Sequence, residues 1–420
     1  MKKAYIILIL LFALSNCLFA NDKEGNDSIA ENVKTGWSLM PLPMCSYASN
    51  AGLSLGLNLQ LYNYGDGKIY PNLYNLILIQ GEYNTTNSGS GRVYFYSSKF
   101  LKHFEFAADV GYFVEKNAQF RGFNGFMSKT NEPLKDYLFR RNLFVGFVEL
   151  YKPIHKNIKV AVGIEMFSFT NEVRSKNSLL GDYISEKIIN ENEAGGGNNI
   201  YFKAGLIYDS RDIKAIPSKG FYSYASLMYS PDIFDGRNLS HLLLSVQHSQ
   251  YINIWNNKFQ FAYRLAYQSI IAGDCPYYLL PRIHSFSQSR PNMEGAGGAF
   301  TVRGVGYAKI VGNDLFFSNF EFRFSLINFK LWVWDVELGL NPFFDAGMVT
   351  RSYNKEQMLN ALQNGRDDII SSDKEFIHCS YGIGGKIILN KTTVLSGEIG
   401  FPIDKRDGKF GMFFGVDFIF

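Results

Sequence analysis

Long runs in which apolar and polar residues alternate constrain this chain more than any other feature of its sequence. In K-F-Q-F-A-Y-R-L-A-Y-Q, residues 258–268, every second residue from Phe259 to Tyr267 is aromatic or leucine. Side chains of a β-strand point alternately to its two faces, so this run predicts a strand with one apolar and one polar face. Strands in soluble sandwiches usually contain about 5 to 6 residues, and this run is longer.

The same pattern recurs at 315–326 and at 410–420. Strands that cross a membrane as part of a barrel need about 9 to 11 residues, apolar toward lipid and polar toward the interior. Aromatic residues make up 16% of the chain and gather near the ends of the runs, as in the girdles at the two membrane interfaces. These aromatic pairs are Tyr62 with Tyr64, Tyr277 with Tyr278, and Trp332 with Trp334. Ordinary packing of core aromatics is the alternative explanation, but the long runs favour a membrane barrel.

Alternating runs follow one another to the end of the chain. They are predicted at 49–63, 71–85, 89–100, 103–116, 136–152, 157–171, 198–210, 219–230, 239–253, 257–272, 315–327, 331–350, 375–389, 392–402 and 410–420. The stretch 117–130 is a candidate for one more strand, and single-chain bacterial barrels use an even number, so the sequence predicts 16 strands. The predicted fold is an all-β, 16-stranded antiparallel transmembrane β-barrel formed by residues 36–420.

The first twenty residues have the composition of a secretory signal peptide. Two lysines precede an apolar run from Ala4 to Leu14, and Ala20 stands before a polar stretch. Residues 1–20 are therefore predicted to be the signal peptide, and residues 21–35 a short polar tail in the periplasm. Two alternatives stay open, an uncleaved membrane anchor, for which the apolar run is short, and a lipoprotein acylated at Cys17.

No motif carries a convincing catalytic or metal-binding pattern. G-L-S-L-G matches the nucleophile elbow of hydrolases, but Ser54 lies inside an alternating run and not in the strand-to-helix turn that this chemistry needs. The histidines lack metal-ligand spacing, since His241 and His248 would lie on opposite faces of one strand. The chain is therefore predicted not to be an enzyme and to use no metal or cofactor.

Charge and cysteine content limit the partners that the chain can have. The net charge of +4 is small for 420 residues and does not indicate a nucleic-acid partner. Three cysteines, Cys45, Cys275 and Cys379, follow the predicted signal peptide. Their odd number and wide spacing argue against a disulfide framework, although one pair stays possible.

One arginine has partners that the strand pattern predicts. It is Arg303, in T-V-R-G-V-G-Y-A-K-I, in the connection that precedes the strand at 315–327. Counting the alternation places Glu321 and Asp345 on the polar faces of two neighbouring strands. A guanidinium group suits bidentate contact with carboxylates in a confined site, so Arg303 is a candidate to bridge them. The alternative is that Arg303 is a solvated charge in an outer loop.

These motifs, in this order, resemble the BamA/TamA-type bacterial surface antigen superfamily. The resemblance rests on V-R-G followed by a glycine–asparagine step, on the N-x-E-x-R strand at 319–323 and on F-x-D-x-G at 343–347. Residues 208–222, Y-D-S-R-D-I-K-A-I-P-S-K-G-F-Y, resemble the Y-D-x-R-D-x-x-x-x-P-x-x-G turn of that family. G-W-S-L-M-P-L-P near the start is similar to a subgroup without periplasmic domains. The match covers essentially the whole chain after the predicted signal peptide.

The resemblance implies site residues as well as a fold. Barrels of this family have 16 strands, and their loop between strands 11 and 12 folds inward, where its arginine pairs with acids of the strands. In this chain that loop lock consists of Arg303, Gly304, Glu321, Asp345 and Gly347. The periplasmic turn motif consists of Asp209, Arg211, Asp212, Pro217 and Gly220. Phe418 and Phe420 resemble the C-terminal signal by which the outer-membrane assembly machinery recognises barrels.

Departures from the family pattern limit the function that the resemblance implies. Val305 stands where the family usually has an aromatic residue after V-R-G. Insertases and secretion pores of the family carry POTRA domains, and the stretch between Ala20 and the first predicted strand is expected to be too short for one. Some relatives also carry a patatin-like lipase domain, for which no counterpart is expected in this sequence. The implied function is therefore broad: an outer-membrane barrel in transport, membrane assembly or lipid homeostasis.

The alternative function is a passive pore or a surface-exposed structural or adhesive protein. An outer-membrane lipase is disfavoured, because no serine–histidine–acid set stands out. The implied partners are outer-membrane lipids, the outer-membrane assembly machinery that inserts the chain itself, and a separate POTRA-bearing or lipase protein.

Overall fold

Sixteen antiparallel strands form one sheet in the computed structural model of the chain. The structure describes residues 33–48, 52–130, 134–175, 178–256, 258–286, 295–332, 334–391, 393–416 and 420. Each strand pairs with the next one in sequence, so the order in the sheet is β1 to β16 without a crossover. The predicted number of strands and their antiparallel pairing are confirmed. The predicted signal peptide, 1–20, and most of the predicted tail, 21–35, lie outside the described residues.

The strands are β1 (Trp37–Ala48), β2 (Gly52–Asn63), β3 (Asn75–Asn84), β4 (Gly89–Leu101), β5 (Phe104–Gln119), β6 (Leu138–His155), β7 (Ile158–Glu172), β8 (Gly196–Asp209), β9 (Gly220–Ser230), β10 (His241–Trp255), β11 (Phe259–Gly273), β12 (Asp314–Leu331), β13 (Trp334–Arg351), β14 (His378–Leu389), β15 (Thr393–Pro402) and β16 (Gly411–Val416). Two α-helices lie in loops, α1 (Leu179–Ser185) and α2 (Lys355–Gln363). Short 3-10 helices span Gly125–Met127, Leu134–Tyr137, Glu191–Glu193 and Lys405–Asp407. Within the described ranges, none of the helices has the length and apolar character needed to cross a membrane.

The sheet buries its polar face and exposes its apolar face, which is the reverse of what soluble proteins do. In β12, Glu321 and Arg323 are buried, whereas Phe322 and Phe324 between and beside them are exposed. In β11, Arg264 is buried and the adjacent Leu265 is exposed. Soluble proteins bury their apolar residues and rarely bury charged ones. The polar face of this sheet is therefore the covered face, and the apolar face needs apolar surroundings.

One strand was assigned wrongly from the sequence pattern. The candidate strand at 117–130 is not a strand, since β5 ends at Gln119 and the loop beyond it contains the 3-10 helix Gly125–Met127. The sixteenth strand is β1 instead, which the alternation did not reveal because Pro41 and Pro43 interrupt it. A proline has no amide hydrogen to donate to a neighbouring strand, so it is tolerated mainly in strands at the edge of a sheet, where β1 lies.

Successive antiparallel strands place their connections alternately at the two ends of the sheet. At one end, called the short-turn end, the connections are 64–74, 102–103, 156–157, 210–219, 256–258, 332–333 and 390–392. At the other, called the long-loop end, they include 120–137, 173–195, 231–240, 274–313, 352–377 and 403–410. This asymmetry is typical of bacterial outer-membrane barrels.

The loops of the long-loop end pack on one another around a shared apolar core, called the loop cap. Leu180 and Tyr183 of α1, Met358 of α2 and Phe123 of the 120–137 loop are all buried in it. Ser128 is bridged to Ile370, which joins the 120–137 and 352–377 loops. The long loops are therefore an ordered layer over this end of the sheet.

Candidate functional site

The connection between β11 and β12, residues 274–313, is called the β11–β12 segment. Its described parts are 274–286 and 295–313. Val302, Val305 and Ile310 are buried in an apolar cluster with Phe317 of β12 and Val349 of β13. The segment therefore packs on the polar face of the sheet for much of its length, which an ordinary solvated loop would not do.

Arg303 is fully buried, and its N–H groups donate to carboxylates on three strands. Its backbone amide and its Nε donate to Asp345 Oδ2 at 3.0 and 2.7 Å, and Nη2 donates to Asp345 Oδ1 at 2.9 Å. Nη1 donates to Glu321 Oε1 at 2.6 Å and to Glu398 Oε1 at 3.2 Å. The guanidinium carbon also lies 3.5 Å from the ring centroid of Phe343. The structure thus brings together Arg303, Asp345 and Glu321 and adds Glu398, which sequence reasoning missed.

Two further cations complete this site. Arg323 Nε donates to Glu321 Oε2 at 2.8 Å, and Lys386 Nζ donates to Glu398 Oε1 at 2.7 Å. The Arg303 cluster is defined by Arg303, Glu321, Arg323, Asp345, Lys386 and Glu398. All six side chains are less than a tenth exposed. Because a buried ion is stable only when it is paired and hydrogen-bonded, three cations against three carboxylates make a balanced site.

Glycines let the segment approach the strands closely at this point. Gly304 has a φ of +93°, and a Cβ on it would lie 2.7 Å from the carbonyl carbon of Gly400 in β15. A Cβ on Gly400 would in turn lie 2.9 Å from the backbone of Arg303. A Cβ on Gly347 would lie 2.9 Å from a methyl group of Val302. Any larger residue at these positions would push the segment away from the strands that hold Arg303.

A second buried charge cluster contacts the first half of the segment. Lys203 Nζ, on β8, donates to Glu149 Oε1 of β6 at 2.8 Å and to Glu165 Oε1 of β7 at 3.0 Å. It also donates to the carbonyl oxygen of Ser285 at 2.6 Å, and His284 Nδ1 lies 3.2 Å from Glu165 Oε2. These five residues define the Lys203 cluster, and its four titratable side chains are at most 3% exposed.

The backbone of His284 is held by further hydrogen bonds. Its carbonyl oxygen accepts from the hydroxyls of Tyr224 on β9 and Ser245 on β10, both at 2.9 Å. Its amide donates to Gln268 Oε1 at 3.0 Å, and Gln268 Nε2 donates to the carbonyl oxygen of Arg282 at 2.8 Å. The first half of the segment is therefore fixed to β6–β11, and the second half to β12, β13 and β15.

Sequence reasoning did not find the Lys203 cluster. Its signal is the alternation alone, which places Glu149, Glu165 and Lys203 on the polar faces of three successive strands. No short motif joins these residues to His284, which lies 81 residues beyond Lys203.

The predicted turn motif is a compact connection between β8 and β9. Arg211 Nε and Nη2 donate to the two oxygens of Asp209, each at 2.9 Å. Asp212 Oδ1 accepts from the amide of Ser218 at 2.9 Å, and Pro217 is buried. Burial raises the pKa of the Asp212 carboxyl, but the hydrogen bonds from Ser218 and its neighbours outweigh it and lower that pKa overall. An ionised Asp212 thus fixes the shape of the turn.

The same turn reaches strands that lie far from it in the sheet order. Gly220 has a φ of +96°, and a Cβ there would lie 2.3 Å from the carbonyl oxygen of Ser210, so only glycine fits. The amide of Lys214 donates to Asn72 Oδ1 at 3.4 Å, and its Nζ donates to the hydroxyl of Tyr96 at 3.3 Å. The turn therefore reaches β4 and the 64–74 connection at the short-turn end.

Of the two predicted C-terminal signal residues, Phe418 lies outside the described part of the chain. Phe420 contacts the polar face of β10–β12. Its ring centroid lies 6.4 Å from that of Tyr251 and 5.2 Å from the guanidinium carbons of Arg264 and Arg323. Arg323 Nη2 donates to its carbonyl oxygen at 3.3 Å.

The serine, histidines and cysteines that the sequence analysis considered for chemistry make ordinary structural contacts. Ser54 is inside β2, away from any strand-to-helix turn. His241 Nε2 lies 2.6 Å from the hydroxyl of Tyr201, and His248 Nδ1 lies 2.7 Å from that of Ser223. In the described ranges, no group of three or more histidine, cysteine or acidic side chains is placed to hold a metal ion. Three cysteines of these ranges, Cys45, Cys275 and Cys379, are free thiols.

Comparison with known proteins gives a family and a fold. A family model described as the Omp85 superfamily domain matches residues 75–418. BamA from Haemophilus ducreyi lacking POTRA domains 1–3 is similar with 17% identity and a TM-score of 0.56, over 91% of this chain and 70% of that one. CdiB from Escherichia coli is similar with 11% identity and a TM-score of 0.54, over 91% of this chain and 62% of that one. No curated protein sequence matches this one. At these identities the similarity to solved structures shows the fold.

Proposed function

The chain belongs to the Omp85 superfamily of bacterial outer-membrane proteins, and we propose that its sheet closes into a transmembrane barrel filled by the β11–β12 segment. On this proposal the barrel is not a passive pore. It acts without enzymatic chemistry, in membrane assembly or in the transport of lipid or protein clients. Members of the superfamily are insertases and transporters, which supports this class of function.

Contacts between the two ends of the strand order support closure. The hydroxyls of Tyr62 in β2 and Thr393 in β15 lie 3.0 Å apart, and the hydroxyl of Tyr70 donates to the carbonyl oxygen of Asn390 at 3.3 Å. Strands are spaced about 4.8 Å apart, so β2 and β15 of a flat sheet would be separated by about 60 Å. A contact between them requires that the sheet curls until its edges approach. Closure also leaves no unpaired backbone edge exposed to lipid.

The observation that carries the proposal is the attachment of one segment to two opposite walls. His284 and Ser285 contact the Lys203 cluster on β6–β8, whereas Arg303 contacts β12, β13 and β15. In a closed barrel of 16 strands, β7 and β15 are eight strands apart, which is half the circumference. The segment therefore crosses the interior, and it is the plug of the proposed barrel.

The edge between β1 and β16 is the proposed place at which clients or lipids meet the barrel. β1 and β16 are the two end strands of the sheet order, and β16 pairs with β15. Closure of the barrel brings these two strands together at a seam, where the unpaired backbone groups of an end strand are available to a client strand. The loop cap covers the long-loop end, which favours a lateral path over one through that end.

The proposed partners follow from this placement. They are outer-membrane lipids, the assembly machinery that inserts the chain itself, and a separate POTRA-bearing or lipase protein that would present clients at the short-turn end. Copurification of the tagged chain after cross-linking in living cells checks the protein partners. Recovery of a POTRA-bearing protein is the expected result.

Depletion of the chain in its native bacterium tests the proposed function. We expect altered amounts of outer-membrane proteins or an altered lipid distribution, restored by the wild-type chain and not by Arg303→Ala at equal abundance. Arg140→Ala, which removes an exposed ion pair with Glu172, should restore as well as the wild type. Normal protein and lipid profiles after depletion would contradict the proposal.

A surface-exposed structural or adhesive role is the second candidate. The loop cap favours it, because four long loops share one apolar core and so present a defined outer surface. Deleting residues 355–363, which form α2, should abolish an adhesive role. The same deletion should leave the protein and lipid profiles of the first proposal unchanged.

A further inference from the structure

Exposed charges are distributed unequally between the two ends of the sheet. Among the described residues, nine exposed lysines lie in the short turns or within four residues of them, and one carboxylate, Asp66, is exposed there. Lys68, Lys99, Lys214 and Lys219 are four of these lysines. Asp66 is itself paired with Lys68 at 2.8 Å, so it offsets little of the remaining charge.

The described residues of the long-loop end have no such excess of exposed positive charge. By the same count of described residues, ten exposed lysines and arginines lie there beside eight exposed carboxylates. Several of these charges neutralise one another directly, as Arg406 does with Asp373 at 2.8 Å and with Asp404 at 2.7 Å. The basic surface is therefore a property of the short-turn end and not of the whole chain, whose net charge is only +4.

The other five lysines of the short-turn end stand beside exposed apolar residues in four separate turns. They are Lys102, Lys152, Lys156, Lys258 and Lys330, and they are called the lysine rim. The apolar neighbours include Leu101, Ile154, Trp255 and Trp332, which are 54, 58, 63 and 73% exposed. Repeated pairing of a lysine with a large exposed apolar residue is typical of segments at a membrane–water interface, where tryptophan and lysine anchor a protein.

Ammonium groups of lysines at this end also lie over aromatic rings. Lys152 Nζ is 5.8 Å from the ring centroid of Phe104, and Lys99 Nζ is 4.2 Å from that of Tyr74. The face of an aromatic ring attracts such an ammonium group, and a lysine at a membrane interface can cover apolar surface with its methylene groups while its ammonium group stays in the polar layer. The geometry places the ammonium groups at the level of the lipid headgroups if the aromatic residues lie at the edge of the hydrocarbon.

We propose that the lysine rim binds the phosphate groups of anionic phospholipids in the leaflet next to the short turns. This inference rests on the membrane-spanning barrel of the proposed function and adds the leaflet and the lipid class to it. Each ammonium group contributes a local attraction to anionic headgroups that falls off within a Debye length. The rim thereby sets the depth of the barrel and enriches anionic lipid around it.

The interleaved apolar residues favour lipid over an acidic soluble protein as the occupant. A soluble partner would need to cover Trp255, Trp332 and Ile154 in turns that belong to different parts of the sheet order. A lipid leaflet surrounds the whole barrel, so it reaches all four turns at once and accommodates both the ammonium groups and the apolar side chains. If the rim shows no preference for anionic lipid, an acidic soluble protein becomes the favoured partner.

Electron paramagnetic resonance of the full chain in phosphatidylcholine bilayers tests this inference. The fraction of lipid immobilised next to the protein is measured with spin-labelled phosphatidylglycerol and, separately, with spin-labelled phosphatidylcholine. We expect phosphatidylglycerol to be preferred about threefold or more at low salt and the preference to weaken at high salt. In K102Q/K152Q/K156Q/K258Q/K330Q the preference should fall toward equality.

A matched variant removes the same charge from the other end. K135Q/K187Q/K355Q/K405Q/K409Q replaces five exposed lysines of the long-loop end and should keep the wild-type preference. Equal losses in both variants would overturn the proposal, since net charge alone would then explain the preference. Heat-dependent migration of all three proteins in gels verifies that each variant is folded.

The remaining outcomes separate the alternatives. Immobilised phosphatidylcholine in normal amount with no preference for phosphatidylglycerol would overturn the proposal in favour of an acidic soluble partner. Loss of the preference on addition of soluble glycerol phosphate would also overturn it, because the rim would then bind free phosphate esters. Absence of any immobilised lipid would contradict the membrane barrel itself, which distinguishes failure of the proposed function from failure of the rim.

Discussion

The two buried charge clusters that hold the β11–β12 segment divide their charges differently. In the Arg303 cluster the segment supplies the central cation, and three strands supply Asp345, Glu321 and Glu398. In the Lys203 cluster the strands supply both the cation that bridges the carboxylates and the carboxylates themselves, and the segment adds a carbonyl group, the ring of His284 and, nearby, the buried charge of Arg282. The first cluster is therefore incomplete without the segment, whereas the second keeps its ion pairs.

This difference indicates which contact holds the β11–β12 segment on the strands. If the segment left the Arg303 cluster, Arg323 and Lys386 would face three carboxylates, and Asp345 would lose its ion pair. A buried charge without a partner is strongly destabilising, while a lost neutral hydrogen bond costs much less. We therefore infer that Arg303 determines whether the segment stays docked and that the Lys203 cluster mainly fixes where its first half lies.

Among the changes that test this comparison, replacing Arg303 should lower the unfolding free energy most. Arg303→Ala leaves Asp345 and part of the charge of Glu321 and Glu398 unpaired in a buried site, so we expect a loss of about 3 to 5 kcal/mol in unfolding free energy. Urea titration of the protein refolded in lipid vesicles measures it. Arg303→Lys keeps the charge without the bidentate geometry, so its loss of unfolding free energy should lie between those of the wild type and Arg303→Ala.

An exposed arginine provides the matched control for that change. Arg140→Ala removes an ion pair with Glu172 that is about half exposed, and it should cost less than about 1 kcal/mol. Equal losses in Arg303→Ala and Arg140→Ala would contradict the central place of Arg303.

The second largest effect should follow from a methyl group at Gly304. Gly304→Ala combines a left-handed backbone with a Cβ 2.7 Å from Gly400, and we expect a loss of about 2 to 4 kcal/mol in unfolding free energy. Gly365 has a similar φ of +87° with open space around it, so Gly365→Ala isolates the backbone strain. The difference between the two variants measures the close approach of segment and strand. No difference would show that this approach does not stabilise docking.

The smallest effect should come from the Lys203 cluster. His284→Ala removes one contact to Glu165 and leaves Lys203 paired with both glutamates, so we expect a loss of about 1 to 2 kcal/mol. Cys275 is buried in the first half of the segment and reports its release. In a Cys45→Ser/Cys379→Ser background, maleimide labelling of Cys275 should be faster with His284→Ala than without it. A larger effect than that of Arg303→Ala would reverse the comparison.

Much of the fold is predictable because alternation is a local signal. Each of β2 to β16 corresponds to a run in which period-two patterning continues for most of the strand, and no partner strand is needed to recognise it. The alternation does not predict β1, because Pro41 and Pro43 interrupt the pattern. A strand at the end of the sheet order tolerates these prolines. The loop at 120–137 was mistaken in part for a strand, since its buried aromatics pack in the loop cap and not against a membrane.

The site was predictable only where alternation and a motif coincide. Glu321 and Asp345 stand on the polar faces of two adjacent strands, and the family resemblance named their arginine. Glu398 lies in G-E-I-G on β15, two positions beyond β13 in the sheet order, so no local pattern connects it to Arg303. The Lys203 cluster likewise joins three strands to a distant loop. Contacts of that kind depend on how distant strands and loops are arranged in three dimensions, which local patterns in a single sequence do not specify.

Single-channel conductance in planar bilayers tests most directly whether the β11–β12 segment is a plug held by Arg303. The wild-type chain should show low, fluctuating conductance, because in the proposed barrel the segment crosses the interior from β7 to β15. Arg303→Ala should show larger and longer openings, and Arg140→Ala should match the wild type. Wide, stable pores in the wild-type protein, or no change in Arg303→Ala, would contradict the plugged barrel.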